Sequence, residues 1–165
     1  MDNGGGVLEQ LRRGRVGTAP GASGATGDPN ARSGEEGDES AGPSFGYLRG
    51  ARDRALHVTF RRERCGDAVA LPYSWLGPAR FHPSRGIELL FVGGEYILVT
   101  LRGRNLGAPT GVAIDLFESG LLRHRVTWVR EVPTAESRAL PETACVVDRI
   151  EVRVVTPEEA AELFQ

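Results

Sequence analysis

From about residue 46 onward the chain is written in short runs of β-branched and aromatic residues with a period of two, parted by Gly and Pro. A chain so patterned is confined to strands and hairpins. Leu56, Val58 and Phe60 alternate with His57, Thr59 and Arg61, which gives one apolar and one wet face. RERCGD at 62–67 turns the chain, and Val69, Leu71, Tyr73 and Trp75 resume the period. Pro72 has no N–H to donate, so it suits an edge strand or a strand end better than the sheet centre. Ile87, Leu89 and Phe91 form one face of the next strand, and Leu90 with Val92 makes the other apolar as well, as in a strand buried on both sides. Gly93-Gly94 then parts GIELLFV from EYILVTLRGR, a two-residue linker supplying the positive φ of a primed hairpin turn. Beyond it, Ile97, Val99 and Leu101 are expected to face the core, with Tyr96, Leu98, Thr100, Arg102 and Arg104 facing outward or toward a partner.

In LLRHRVTWVREV the same parity puts Leu122, His124, Val126, Trp128 and Val132 on one side. Arg123, Arg125, Thr127 and Glu131 fall on the other, so Trp128 is expected in the core and Arg125 on the surface. Residues 145–155 give a last strand with Val146, Ile150, Val152 and Val154 inward. Val112 to Leu122 reads as the one mid-domain helix, striped by Ile114, Phe117 and Leu121, although Gly120 weakens it by about 1 kcal/mol against Ala. Pro133 to Pro141 reads as a loop. Thr156-Pro157-Glu158-Glu159 is a capping box with Pro at the first helical position, which predicts a short C-terminal helix.

The fold expected from this pattern is mainly β: a small barrel or strongly bent antiparallel sheet of roughly five to seven strands. One short helix would pack across an open end and a second would close the chain, within a single β-rich domain at 46–165. Residues 1–45 differ in kind. They hold 11 of the 22 Gly, with Ser and Ala filling much of the rest, and only Val7, Leu8, Leu11, Val16 and Phe45 as sizeable apolar side chains. Such a segment cannot offset a chain entropy of about 1–2 kcal/mol per residue, so a disordered tail is expected there. It is acidic, at −3, against +1 for residues 46–165.

Composition restrains the functional reading. The chain has 20 Arg and no Lys, with only 3 Asn and 4 Ile, which is the signature of a GC-rich genome. Arg abundance is therefore no measure of affinity for phosphate, although each guanidinium keeps its capacity for bidentate contacts. A net charge of −2 argues against a dedicated polyanion binder. Cys65 and Cys145 make neither a disulfide framework nor a zinc knuckle, which suits a reducing compartment. With no apolar run of about 18 residues and no signal-like start, a cytoplasmic protein is expected.

Four arginines are the leading candidates for binding. Arg102 and Arg104 share one strand face and Arg123 and Arg125 another, so pairing of the two strands would bring all four guanidinium groups together beside Tyr96. The plainer reading is a solvated surface neutralised by Glu95, Glu131 and Glu151. His57, His82 and His124 lack metal-ligand spacing, and His124 reads as a core histidine before a catalytic base. Cys65, flanked by arginines, could be a reactive thiolate but reads first as a turn residue. Asp115 and Glu118 could share a metal or a proton on a helix, yet such pairs are usually a wet face. No dinucleotide, P-loop or nucleophile-elbow motif occurs, and no cofactor or metal is called for.

The leading expectation is thus a non-catalytic binding or adaptor domain that engages another protein through an exposed β edge or an Arg and aromatic face. RNA or nucleotide binding by a small barrel through Arg102, Arg104, Arg123 and Arg125 is the alternative. An enzyme using His124 or Cys65 is the third reading, and no membrane partner is expected.

Overall fold

In a computed structural model of the chain, residues 39–109 and 114–165 are described. They form nine strands in two sheets. The first sheet runs β1 (Glu39–Ala41), β2 (Phe45–Leu48), β8 (Val126–Arg130), β3 (His57–Arg62), β4 (Asp67–Pro72) across its width, and the second runs β5 (Leu76–His82), β6 (Gly86–Val92), β7 (Tyr96–Arg104), β9 (Val146–Val155). All neighbours are antiparallel except β3 and β8.

The alternation of each strand explains where the core lies. Val58 and Phe60 of β3, Leu71 of β4 and Val126 and Val129 of β8 turn one way, and Ile87, Leu89, Phe91, Val99, Leu101 and Ile150 of the second sheet turn to meet them in one buried cluster. Phe60 and Phe91 meet edge to face across it, with ring centroids 6.1 Å apart. The strands thus form two layers around a common core rather than a closed barrel, and they number nine rather than five to seven.

Where the sheets adjoin, polar side chains join them. The buried Ser44 hydroxyl donates to Cys145 O (3.1 Å) and accepts from Val147 N (2.9 Å). Glu131, expected on the surface, is buried. Its carboxylate accepts from Ile150 N (2.8 Å) and Arg64 N (3.0 Å), donors that would otherwise be orphaned. Over its first half, the side of β9 away from β7 is therefore closed by Ser44 and Glu131.

Several boundaries differ from the sequence reading. The domain begins before residue 46, because Glu39–Ala41 is a strand and Phe45 is 1% exposed in the core. The remainder of the expected tail, 1–38, lies outside the described residues. Of the expected 112–122 helix, 112 and 113 lie outside them too, and what forms is one wide π-helical turn at Leu116–Leu121 with Leu116 and Leu121 buried. The expected loop at 133–141 contains helix α1 (Thr134–Ala139), which buries no side chain and so carries no apolar stripe to betray it. Its Glu136 pairs with Arg130.

The C-terminal helix forms as expected. Helix α2 (Pro157–Leu163) starts at Thr156, whose hydroxyl accepts from Glu159 N at 3.2 Å. The β6–β7 turn spans three residues rather than two, since Val92 pairs with Tyr96, and Gly94 carries the positive φ of 96°. No helix among the described residues is long and apolar enough to cross a membrane.

Candidate functional site

The outer faces of the two sheets present different surfaces. On the second sheet, Leu90 and Leu98 lie on one outward row and Tyr96 pairs with Val155 on the next. Helix α2 covers them: Leu98 is 2% exposed and packs with Leu90, Val155 and Ala160, joined by Tyr96, Leu163 and Phe164. Arg153–Glu159 and the Arg80 guanidinium over the Phe164 ring (5.2 Å) fasten the helix at its flanks. The apolar outward stripe thus has an intramolecular partner.

On the first sheet, a bulge decides what faces out. Gly46 pairs with Trp128, but Tyr47 pairs with Val126, so Thr127 is the extra residue. Parity therefore reverses between Val126 and Val129, both of which enter the core, and Trp128 turns outward, half-buried. This corrects its expected core position. The indole lies against Gly46, where a methyl group would stand 2.2 Å from Trp128 Nε1. The Arg61 guanidinium sits 5.0 Å from its ring centroid, a cation–π contact worth about 0.5–1 kcal/mol at an exposed site.

Next to this pair the sheet ends. Arg61 is opposite Ala68, and Thr59, which neighbours Trp128 in the parallel pairing, is opposite Ala70. Both alanines are exposed, while Leu71 is buried and Val69 half-buried on the inner face. Tyr73 N donates to Leu56 O at 2.9 Å, so by alternation Leu71, Val69 and Asp67 bond back to β3. The N–H and C=O groups of Ala68 and Ala70 then point away from the sheet. Pro72 ends the strand, as an edge proline does.

The other outer strands offer less. β1 has three residues, β5 has a register shift between Leu76 and Ala79 and contains Pro78, and β9 keeps only the groups around Val152 and Val154. Arg61 stands in no ion pair among the described residues, whereas its row neighbour Arg130 is held by Glu136 and Pro43 O. Beside Arg61 and Ala68, an open depression of about 330 Å³ is lined also by Arg62, Glu63, Gly66 and Asp67.

The arginines singled out from sequence do not meet in the expected way. Their convergence required β7 to pair with the strand at 122–132, and these lie in different sheets. Arg104 donates to Ser137 O (3.0 Å) at the end of α1, and Arg125 to Leu48 O (2.9 Å) and Arg49 O (2.8 Å). Arg123 is exposed in the turn before β8. Arg102 is exposed on the outer face of the second sheet, directly opposite Arg149.

The remaining candidates take structural places. His124 is in a turn at φ 56°, half-buried, with its ring stacked on Tyr73 at 4.5 Å. Burial, and then the nearby Arg54, hold its pKa below the ordinary value. Burial raises the Tyr73 phenol, which donates to Val126 O. Cys65 is an exposed thiol in the β3–β4 turn, and Cys145 is buried, its thiol pushed up to about 12 by desolvation and then by Asp115. Asp115 caps the π-helical turn, accepting from Glu118 N and Ser119 N, so the Asp115 and Glu118 pair is a cap and its first turn. No group of three or more His, Cys, Asp or Glu among the described residues could hold a metal ion.

Sequence reasoning missed Arg61, Trp128, Ala68 and Ala70 as a group. Pro72 and the exposed parity of Arg61 were the available signals. Comparison with family models, with curated proteins and with solved structures finds no match to this chain.

Proposed function

We propose that this chain is a non-catalytic protein-binding domain that takes up an extended segment of a partner by adding a strand to the free edge of β4. The observation that carries this reading is the pair of outward backbone positions at Ala68 and Ala70, on an exposed, regular, six-residue strand beside the Arg61–Trp128 pair. Main-chain hydrogen bonds supply affinity in such binding, and side chains flanking the edge supply specificity. Two unpaired cysteines, one exposed, suit the reducing cytoplasm as the place where it works.

The test is selection of displayed random linear peptides on the immobilised full chain, followed by competition with the Ala70→Pro variant. Proline there removes an outward N–H and no bond within the sheet, so the variant keeps its fold. Peptides that bind the parent chain and not the variant are the expected result. Selected peptides that bind both equally would refute the edge as the site.

A second reading, binding of a phosphate-bearing ligand such as RNA, is favoured by one pairing. Arg102 and Arg149 face each other across β7 and β9, and like charges so placed repel unless an anion joins them. Glu151 partly relieves this by pairing with Arg149 at 2.6 Å. Salt-sensitive binding of a short RNA that is lost in Arg102→Ala would promote this reading.

A further inference from the structure

Resting on strand addition at β4, we infer that the partner segment carries a carboxylate and an apolar side chain two residues apart, the first read by Arg61 and the second by the Thr59–Trp128 surface. The spacing comes from the sheet. Residues of an added strand that bond to Ala68 and Ala70 are two apart, and their side chains project from the same face as those alanines. Beyond Ala68 on that face stands Arg61, and beyond Ala70 stand Thr59 and then Trp128. Alanine is too short to block either path. Cross-strand and diagonal neighbours lie within reach of long side chains, so the Arg61 side chain, once swung from the Trp128 ring, can meet an acidic side chain opposite Ala68 above its methyl group.

Charge sets the sign of the preference. The outer face formed by β3, β4 and the last three residues of β8 is made of His57, Thr59, Arg61, Ala68, Ala70, Pro72, Trp128 and Arg130, with acids only at its margins: Glu39 beside the Trp128 indole, and Glu63 and Asp67 in the depression next to Arg61 and Ala68. Glu136 from α1 neutralises Arg130, which leaves Arg61, its guanidinium resting over the Trp128 ring on the β8 side, as the cation of this row with no ion pair among the described residues. A basic strand arriving there is repelled and an acidic one is drawn in. The same comparison argues against a second copy of the chain. An antiparallel β4–β4 pair about Val69 would set Ala70 of one copy opposite Ala68 of the other, satisfying the same backbone groups but bringing no carboxylate to Arg61.

The experiment titrates the ¹⁵N-labelled full chain with two blocked peptides, Thr-Thr-Leu-Thr-Glu-Thr-Thr and its counterpart with Lys in place of Glu. The amide signals of Ala68 and Ala70 are followed. The expected result is movement of both signals, with the Glu peptide binding about five to ten times more tightly than the Lys peptide at low salt. In Arg61→Glu the order of preference should reverse, an outcome that general loss of structure cannot produce. Equal binding of the two peptides, with Ala68 and Ala70 still shifted, overturns the carboxylate preference and leaves strand addition standing. No shift at either residue with either peptide overturns both. A concentration-dependent dimer in sedimentation that Ala70→Pro abolishes would assign the edge to a second copy, against the acidic segment.

Discussion

The outer face of the second sheet and the outer face of the first differ in what covers them. On the second, Leu90, Leu98 and Val155 form an apolar stripe, and α2 closes over it with Ala160, Leu163 and Phe164. On the first, the surface beside β4 is built from small residues and the Arg61–Trp128 pair, and it ends in an edge whose outward groups at Ala68 and Ala70 have no partner strand among the described residues. An apolar outward stripe is an appeal for a partner. Here the chain answers that appeal with α2, while the more polar face keeps backbone groups without a partner strand among the described residues. Backbone valence, more than apolar area, is what distinguishes the proposed binding edge.

The largest expected effect tests the covered face. Leu98→Ala removes a side chain that is 2% exposed between β7 and α2, and should cost about 2–5 kcal/mol in urea unfolding. Trp128→Ala, on the open face, should cost about 1–2 kcal/mol, since its indole is half-buried and its added contact is one cation–π pair. If Trp128→Ala proved the costlier of the two, the contrast between the faces would be inverted. Thr156→Ala loses the cap of α2 and should cost about 1 kcal/mol, with Tyr96 fluorescence reporting loosened packing beneath the helix. Smallest of all, Arg153→Ala breaks a half-exposed pair with Glu159 and should cost under about 1 kcal/mol, diminishing further in high salt. Amide exchange sharpens the same comparison without mutation: Ala68 and Ala70 should exchange early, and Leu98 and Val155 late.

Much of the architecture was legible because it follows from local rules. The Val58 and Phe60 face of β3, the inner face of β6, the turn around Gly94, the edge character of the strand before Pro72 and the Thr156 cap each rest on residues within one or two turns of chain, whereas Leu56, expected on the same face as Val58, precedes the strand and is 85% exposed. What misled was parity carried too far. Trp128 faces out because of the bulge opposite Gly46 and Tyr47, and a second register shift, between Arg102 and Gly103, sends Val147 as well as Ile150 into the core. Each shift falls at a glycine, Gly46 and Gly103, where a Cβ would clash, but a strand glycine alone does not say on which strand the extra residue lies, so period-two reading passed straight through. Val154 shows another limit: it shares the inward parity of Ile150 and Val152, yet is 63% exposed, because the core ends before the strand does.

By itself the sequence determined that the chain is mainly β, where its hairpins turn and where its last helix begins, since φ preferences, missing N–H groups and side-chain alternation act over a few bonds. Tertiary structure alone decided that there are two sheets, that β7 and β8 fall in different ones so that the four arginines do not share a strand pair, and that Glu131 is a buried staple while Tyr96 lies at the margin of α2. These are matters of which distant segments satisfy each other's unpaired donors and apolar faces. Ser44 is bonded to a strand about a hundred residues away, and no local propensity encodes that choice.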